Sequence, residues 1–325
     1  SVIFWSTILH SEKILCYTAT NGCTHELRYA LKFGLKFYMR SYQQLIDFLP
    51  PLSSFRNEAS GLITSYRVNQ PKIKNSGRPA LVFLHGFNGS SKSWACQFAH
   101  FTSQTVIAID APGFGGSQFV DGGMVAIADE VAALISSLVT DKAVIIGHSM
   151  GGMLAQVLGA AHPDICRAII LSCTHKGRAQ PVGSPLRAAE QERIKEREVM
   201  DDASYGALRV GKMLSGKIDP QIMAFLAAIA GEIRVEGIRC GGFAMQYLDT
   251  SPFLDKINAP VAIFTGADDV VVKPDAAAAL KASLPQAHHW LLADVGHAPY
   301  CEDSASFNTA IEAFFDKVLA DCKVS

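Results

Sequence analysis

The stretch AVIIGHSMGGMLAQVLGAA, Ala143 to Ala161, changes character in its middle. It opens as an apolar, β-branched run, as a strand buried on both faces reads. It closes with apolar residues at helical spacing. Between the two lie Gly147, His148, Ser149, Met150 and Gly151, so strand passes to helix through a turn with a glycine two residues to either side of a serine. Packing would fill position 149 with Ala or Leu. A hydroxyl on so tight a turn is lifted out of the core and stands at a helix N-terminus, where free N–H groups and the helix dipole favour negative charge.

The same strand-to-helix rhythm repeats outward from this point. PALVFLHG, TVIAIDAPG, RAIILSC and PVAIFTG each read as a strand stopping at a small or polar residue, and HHWLLADVGH reads as a last strand. MVAIADEVAALISSLV and SFNTAIEAFFDKVLA read as helices packed on a sheet. The pattern predicts an α/β fold, a doubly wound and mostly parallel sheet. It breaks between about residues 175 and 255, where a charge run, RAAEQERIKEREVMDD, reads as a solvated helix face and apolar helical pieces follow. We read this segment as a helical cap inserted into a domain of residues 57–325. Residues 1–56 read as an N-terminal extension, helical over 25–49. There Arg28, Lys32, Lys36 and Arg40 form one charged side, facing solvent or, as a second reading, a membrane surface. Met39 is a candidate native start, which would place the residues before it outside the fold.

With 49% hydrophobic and 18% charged residues in 325, the chain has material for a large core and too few charges for a disordered protein. A net charge of −1 gives no field to concentrate nucleic acid or other polyanions. The eight cysteines show no CxxC pair and no zinc-finger spacing, and several sit in apolar runs. Buried free thiols in a reducing, cytoplasmic setting are the expectation, with no structural metal. The first twenty residues lack a basic start and a cleavage site, so no secretory signal is expected, and no apolar run has the length of a membrane span.

A serine hydroxyl is a weak nucleophile until a base takes its proton. Among ten histidines, His297 is set apart by its position, in a loop just beyond the last strand and before the last helix. An acid must then fix its tautomer. FTGADDVV, at the end of the preceding strand, offers Asp268 and Asp269. The strand PALVFL ends in HGFNGSS, His85 to Ser91, which with the turn at Ser149 suggests the backbone N–H groups of Phe87 and Met150 as donors to a developing oxyanion. DAPGFGGS, Asp110 to Ser117, lacks the GK[ST] ending of a phosphate loop and reads as a close-packed turn lining the site, so no cofactor is expected.

HGF, DAPGFGGS, GHSMGG, GADD and GHAPY stand in the order and spacing of the α/β-hydrolase fold family, which this chain resembles from about Gly61 to Leu319. The resemblance implies hydrolysis of a carboxylic ester or lactone, a small to medium and largely apolar molecule, through an acyl-enzyme on Ser149. In the family pattern the acid stands three residues after the glycine ending its strand, which from Gly266 gives Asp269. His148 before the nucleophile resembles carboxylesterases and lipases more than the meta-cleavage-product hydrolases, which carry Asn there and Trp where this chain has Ala298. Enol-lactonases are similar in DAPGFGGS. A carbon–carbon bond hydrolase is the alternative, favoured by an anchoring arginine in the cap, with Arg178, Arg187, Arg209, Arg234 and Arg239 as candidates. A non-catalytic, ligand-binding member of the fold is the second alternative. Ile222, Met223, Phe225, Leu226 and Phe243 are candidate lining residues of an apolar pocket.

Overall fold

The computed structural model describes residues 46–47, 49–69, 77–214 and 218–321. The helix expected over 25–49 falls almost wholly outside the described residues, and Arg28, Lys32, Lys36, Arg40, Cys16, Cys23 and Cys322 lie outside them. The described chain forms one eight-stranded sheet. In chain order the strands are β1 (Leu52–Arg56), β2 (Ile63–Val68), β3 (Leu81–Leu84), β4 (Val106–Ile109), β5 (Ala143–His148), β6 (Cys166–Ser172), β7 (Val261–Gly266) and β8 (His288–Leu292). Their spatial order is β1-β2-β4-β3-β5-β6-β7-β8, with β1 and β2 antiparallel and every pair from β4 to β8 parallel.

Each run expected to be a strand is one. β1 and β2 are additional: LSSFR and ITSYRV form an edge hairpin, half exposed, that carries too many polar residues to stand out from a loop. The sheet therefore begins at Leu52, ahead of the boundary placed between residues 56 and 57.

Period-two alternation along the central strands divides the core. Val82, Ile107, Ile145, Ile169 and Ile263 face α2 (Gly123–Leu138), α3 (Met150–Ala161) and α9 (Pro274–Ser283). Leu81, Phe83, Ala108, Ile146, Ile170 and Phe264 face α1 (Ala95–His100) and α11 (Ser304–Asp321), through Trp94, Phe98, Phe307 and Phe314. Helices on both faces explain why these strands are mostly apolar, and each fully buried apolar side chain contributes about 1.5–3 kcal/mol.

Five further helices come between β6 and β7: α4 (Ala188–Val199), α5 (Asp202–Gly211), α6 (Pro220–Gly231), α7 (Val235–Tyr247) and α8 (Ser251–Leu254). A bridge between Gly177 and Asp249 ties the two ends of this insertion together. The charge run on α4 is not simply a solvated face. Glu190 and Ile194 are buried, Arg193, Glu196 and Arg197 are half-buried, and ion pairs link Arg178 to Glu190 and Arg209 to Glu196. Among the described residues no helix is long and apolar enough to cross a membrane, and the five described cysteines are buried free thiols.

Candidate active site

The sheet reverses direction at β3: β4 lies on one side of it and β5 on the other. At such a point the loops leaving neighbouring strands diverge and open a crevice at their carboxyl ends. The loop from His85 and the turn at Ser149 both leave this crevice, and those after β7 and β8 leave the same edge of the parallel sheet.

Ser149 has φ 53° and ψ −113°, a left-handed backbone that a residue with a side chain enters only under constraint. The constraint is visible. Its N–H donates to the Ser172 carbonyl at 2.9 Å, and its own carbonyl accepts from the Thr174 hydroxyl at 2.6 Å. The flanking glycines are demanded by close approach: a Cβ at Gly147 would lie 2.2 Å from the Gly151 carbonyl oxygen, and one at Gly151 2.2 Å from that of Leu84.

His297 and Asp269 are brought to this turn by the two loops after β7 and β8, which are hydrogen-bonded to each other. The Ala267 N–H donates to the Leu292 carbonyl and the Asp268 N–H to that of Val295, both at 2.9 Å. The result is a continuous line of three side chains. His297 Nε2 is 3.2 Å from Ser149 Oγ, and His297 Nδ1 is 2.9 Å from Asp269 Oδ2 and 3.1 Å from Oδ1. With the Nδ1 proton held by the carboxylate, Nε2 is left as the acceptor for the serine hydroxyl. The side chains of His297 and Asp269 are almost fully buried. Burial by itself would raise the Asp269 pKa. The hydrogen bond and charge of His297 and the Val272 and Val271 amides outweigh it, and the carboxyl sits below its ordinary value.

Asp268 is exposed, and the carboxylate bonded to His297 is that of Asp269. The following turn, which Asp268 could have capped, is capped by Asp269 itself: its Oδ1 accepts the Val271 and Val272 N–H groups at 2.8 and 2.9 Å.

A group the sequence did not single out is Glu302, on the short α10 (Pro299–Glu302). Its carboxylate accepts the Gly296 N–H at 2.9 Å and the Ala298 N–H at 2.6 Å, the two amides flanking His297. Burial pushes its carboxyl pKa up, against the pull of those same amides. No local spacing rule announces this role, because the partners are backbone groups.

On the other side of Ser149, Phe87 and Met150 are buried, and among the described residues neither backbone N–H donates to a protein acceptor. The loop that carries Phe87 is anchored at His85, whose Nδ1–H donates to the Gly86 carbonyl at 2.8 Å while Nε2 accepts the Ala111 N–H at 3.0 Å. Asp110 fixes the same loop from below, accepting the Ser91 N–H and the Ser65 hydroxyl, both at 2.6 Å. DAPGFGGS is thus a brace for the loop. From above, α7 presses on both residues: a Cβ at Gly241 would lie 2.8 Å from the Phe87 ring and 2.9 Å from Met150 Sδ.

A family model described as alpha/beta hydrolase fold matches residues 79–304, more than half of the chain. The chain belongs to the α/β-hydrolase fold family. Similar proteins include the pimeloyl-[acyl-carrier protein] methyl ester esterase of Citrobacter koseri, 26% identical over 76% of this chain and 98% of that one. Among solved structures, a thermophilic esterase from Thermogutta terrifontis superposes with TM-score 0.70 at 22% identity, over 82% of this chain and 99% of that one. The enol-lactonase of Burkholderia xenovorans LB400 does so with TM-score 0.70 at 19% identity, over 81% and 100%.

Among the described residues of this α/β-hydrolase, Cys173, Asp269 and His297 place metal-ligating atoms within 4.8 Å of one another. The Asp269 and His297 atoms already bond each other, and burial pushes the Cys173 thiol far up, so a metal there would have to displace both a hydrogen bond and a proton. A separate cavity of about 840 Å³ lies between α2 and α7, lined among others by Phe119, Val120, Met124, Phe243, Tyr247 and Phe253, and includes none of Ser149, Asp269 and His297. Of the residues expected to line an apolar pocket, Phe243 lines this separate cavity, Phe225 and Leu226 are core side chains, and Met223 is exposed.

Proposed function

We propose that this α/β-hydrolase is a serine hydrolase that cleaves a carboxylic ester or lactone of a small to medium, largely apolar substrate through an acyl-enzyme. The observation that carries the reading is the placement of His297, 3.2 Å from Ser149 Oγ through one ring nitrogen and 2.9 Å from Asp269 through the other. His297 Nε2 takes the hydroxyl proton as Ser149 Oγ attacks the carbonyl carbon. The imidazolium that forms is stabilised by Asp269, whose lowered pKa keeps it ionised. The oxyanion accepts the N–H groups of Phe87 and Met150, each such donor being worth about 3 kcal/mol in the transition state. His297 then returns the proton to the leaving alkoxide, and water attacks the acyl-enzyme by the same route.

His148 suits the role of His297 as base. Burial first, and then the nearby His297, hold its pKa well below the ordinary value, so it stays neutral beside a histidine that must become positive. Its ring lies 4.8 Å from that of His297 and edge-on to Tyr300 at 4.9 Å, which limits the travel of the base. The test is a panel of p-nitrophenyl esters with lactones and a dienone alongside, run on the wild type and Ser149→Ala. We expect ester or lactone turnover that drops by several powers of ten in the variant. Efficient dienone cleavage with negligible ester turnover would select the carbon–carbon hydrolase instead.

A further inference from the structure

The arginines of the inserted helices differ in what balances them. Arg178 pairs with the buried Glu190 at 2.9 Å, and Arg187 reaches the same carboxylate at 3.9 Å. Arg209 pairs with Glu196, and Arg197 with Asp202 at 2.5 Å. Arg234 donates to the carbonyls of Gly113 and Ser117, and Arg239 is an exposed residue on the rim of the cavity beside α7. Arg193 has none of these arrangements. It is half-buried on α4, and among the described residues no carboxylate forms an ion pair with it.

The side chain of Arg193 is nevertheless directed. Its Nη1 donates to Asn88 Oδ1 at 2.8 Å, and its guanidinium carbon lies 4.9 Å from the centroid of the Phe87 ring. Phe87 and Asn88 follow Gly86, where an added Cβ would meet Ser149 Cβ at 3.2 Å. The guanidinium therefore hangs from the cap onto the loop beside the nucleophile. Five N–H donors in a planar fork are offered there, and a neutral amide oxygen takes one of them. Burial lowers the Arg193 pKa, and the positive charges of Arg209 and Arg178 lower it further; Tyr205 and the charge of Glu190 pull the other way without restoring it, so this cation is under-compensated. A buried charge kept without a partner is costly, and an anion arriving with the substrate removes that cost.

We propose that Arg193 receives a carboxylate carried by the substrate, so that the esters or lactones cleaved here bear a free carboxylate a few carbons from the scissile bond. The inference rests on the ester reading of the Ser149 site and adds the substrate class to it. A single carboxylate is the matching anion because Arg193 is one guanidinium with which, among the described residues, no carboxylate forms an ion pair. The fork geometry of a guanidinium also fits a carboxylate through two parallel hydrogen bonds. In the reaction a half-ester and one water give a dicarboxylate, an alcohol and one proton. Arg193 takes no part in the bond changes and sets which molecule is held.

The test compares mono-p-nitrophenyl esters of dicarboxylic acids, from succinate to suberate, with neutral p-nitrophenyl alkanoates of matched chain length. Each is measured on the full chain and on Arg193→Met. The quantity read is the ratio of kcat/KM for half-ester to neutral ester within one protein, so a general loss of activity or of folded material cancels. For the wild type we expect a ratio on the order of 10 to 100 at the best spacer length, the worth of one charge-assisted hydrogen bond. In Arg193→Met the ratio should fall to about one or below through KM, with Arg193→Lys between the two. A wild-type ratio at or below one at every length, with neutral esters cleaved, overturns the proposal and leaves the ester reading standing. So does a ratio that survives in Arg193→Met. Failure to cleave any ester of either kind overturns the ester reading and the proposal with it.

Discussion

Replacing Asp269 by Asn changes one oxygen into an amide nitrogen, and the structure dictates which one. Oδ1 accepts the Val271 and Val272 N–H groups as well as lying 3.1 Å from His297 Nδ1, whereas Oδ2 faces Nδ1 alone at 2.9 Å. Turning the amide so that its NH₂ met the two backbone donors would leave two N–H groups without acceptors, at about 1–3 kcal/mol each. The carbonyl oxygen of the new side chain therefore stays with the turn, and the NH₂ points at His297. Two N–H donors cannot face each other, so the imidazole moves its proton to Nε2 and presents a donor to Ser149 Oγ where an acceptor is needed. Loss of the correct tautomer should lower kcat on the order of 10⁴-fold, about 5.5 kcal/mol of transition-state stabilisation. Asp268→Asn alters an exposed side chain and should stay within about threefold of wild type, as surface changes away from a site do. Both variants are measured on p-nitrophenyl butyrate at pH 7.5, with circular dichroism to establish folding. A folded Asp269→Asn within tenfold of wild type, or an Asp268→Asn that is the slower of the two, refutes the reasoning.

Glu302→Gln keeps the shape of the clamp on the His297 loop but turns one acceptor into a donor against the Gly296 or Ala298 N–H. We expect kcat to fall about 10- to 100-fold with KM little changed, because the loss lies in placing the base and not in holding substrate; a rise in KM at constant kcat would assign Glu302 another role. Stability should decline on acidification below about pH 6.5. Burial holds the pKa values of His85, His148 and His175 below their ordinary value, so the unfolded chain takes up protons that the native state refuses. Each such histidine contributes up to about 1.4 kcal/mol per pH unit until its native pKa is reached. Glu302, with a raised pKa, works in the opposite direction at lower pH, where His289 and the Asp269 carboxyl, both held below their ordinary values, add to the loss. Urea midpoints at pH 7.5, 6.5 and 5.5 measure the trend, which should be shallower in His148→Gln, and a midpoint that rises on acidification contradicts it.

What the sequence disclosed and what it hid follow from where each signal resides. Central parallel strands are covered on both faces, so β3, β5, β6 and β7 are largely apolar runs and visible. β1 and β2 sit at the edge and alternate exposed or half-buried residues such as Ser53, Arg56 and Arg67, which a polar loop also contains. Ser149 and His297 could be named because each stands on a turn at the end of a recognisable strand; the same signal offered both Asp268 and Asp269, and the resemblance to the family pattern singled out Asp269. Arg193 could not, since a charge run gives no sign of which arginine on the helix turns inward and which acids its neighbours have already taken. Glu302 and Asp110 act on backbone amides and hydroxyls brought from distant segments, a kind of contact that leaves no pattern in the chain.

The direct measurement of the central claim is covalent. The full chain is treated with a fluorophosphonate, which reacts with a serine hydroxyl whose proton a neighbouring base removes, and the adduct is located by peptide mass spectrometry. The account predicts one adduct, on Ser149, absent from Ser149→Ala and strongly slowed in Asp269→Asn; an adduct on any other serine, or undiminished labelling of Ser149→Ala, would contradict it.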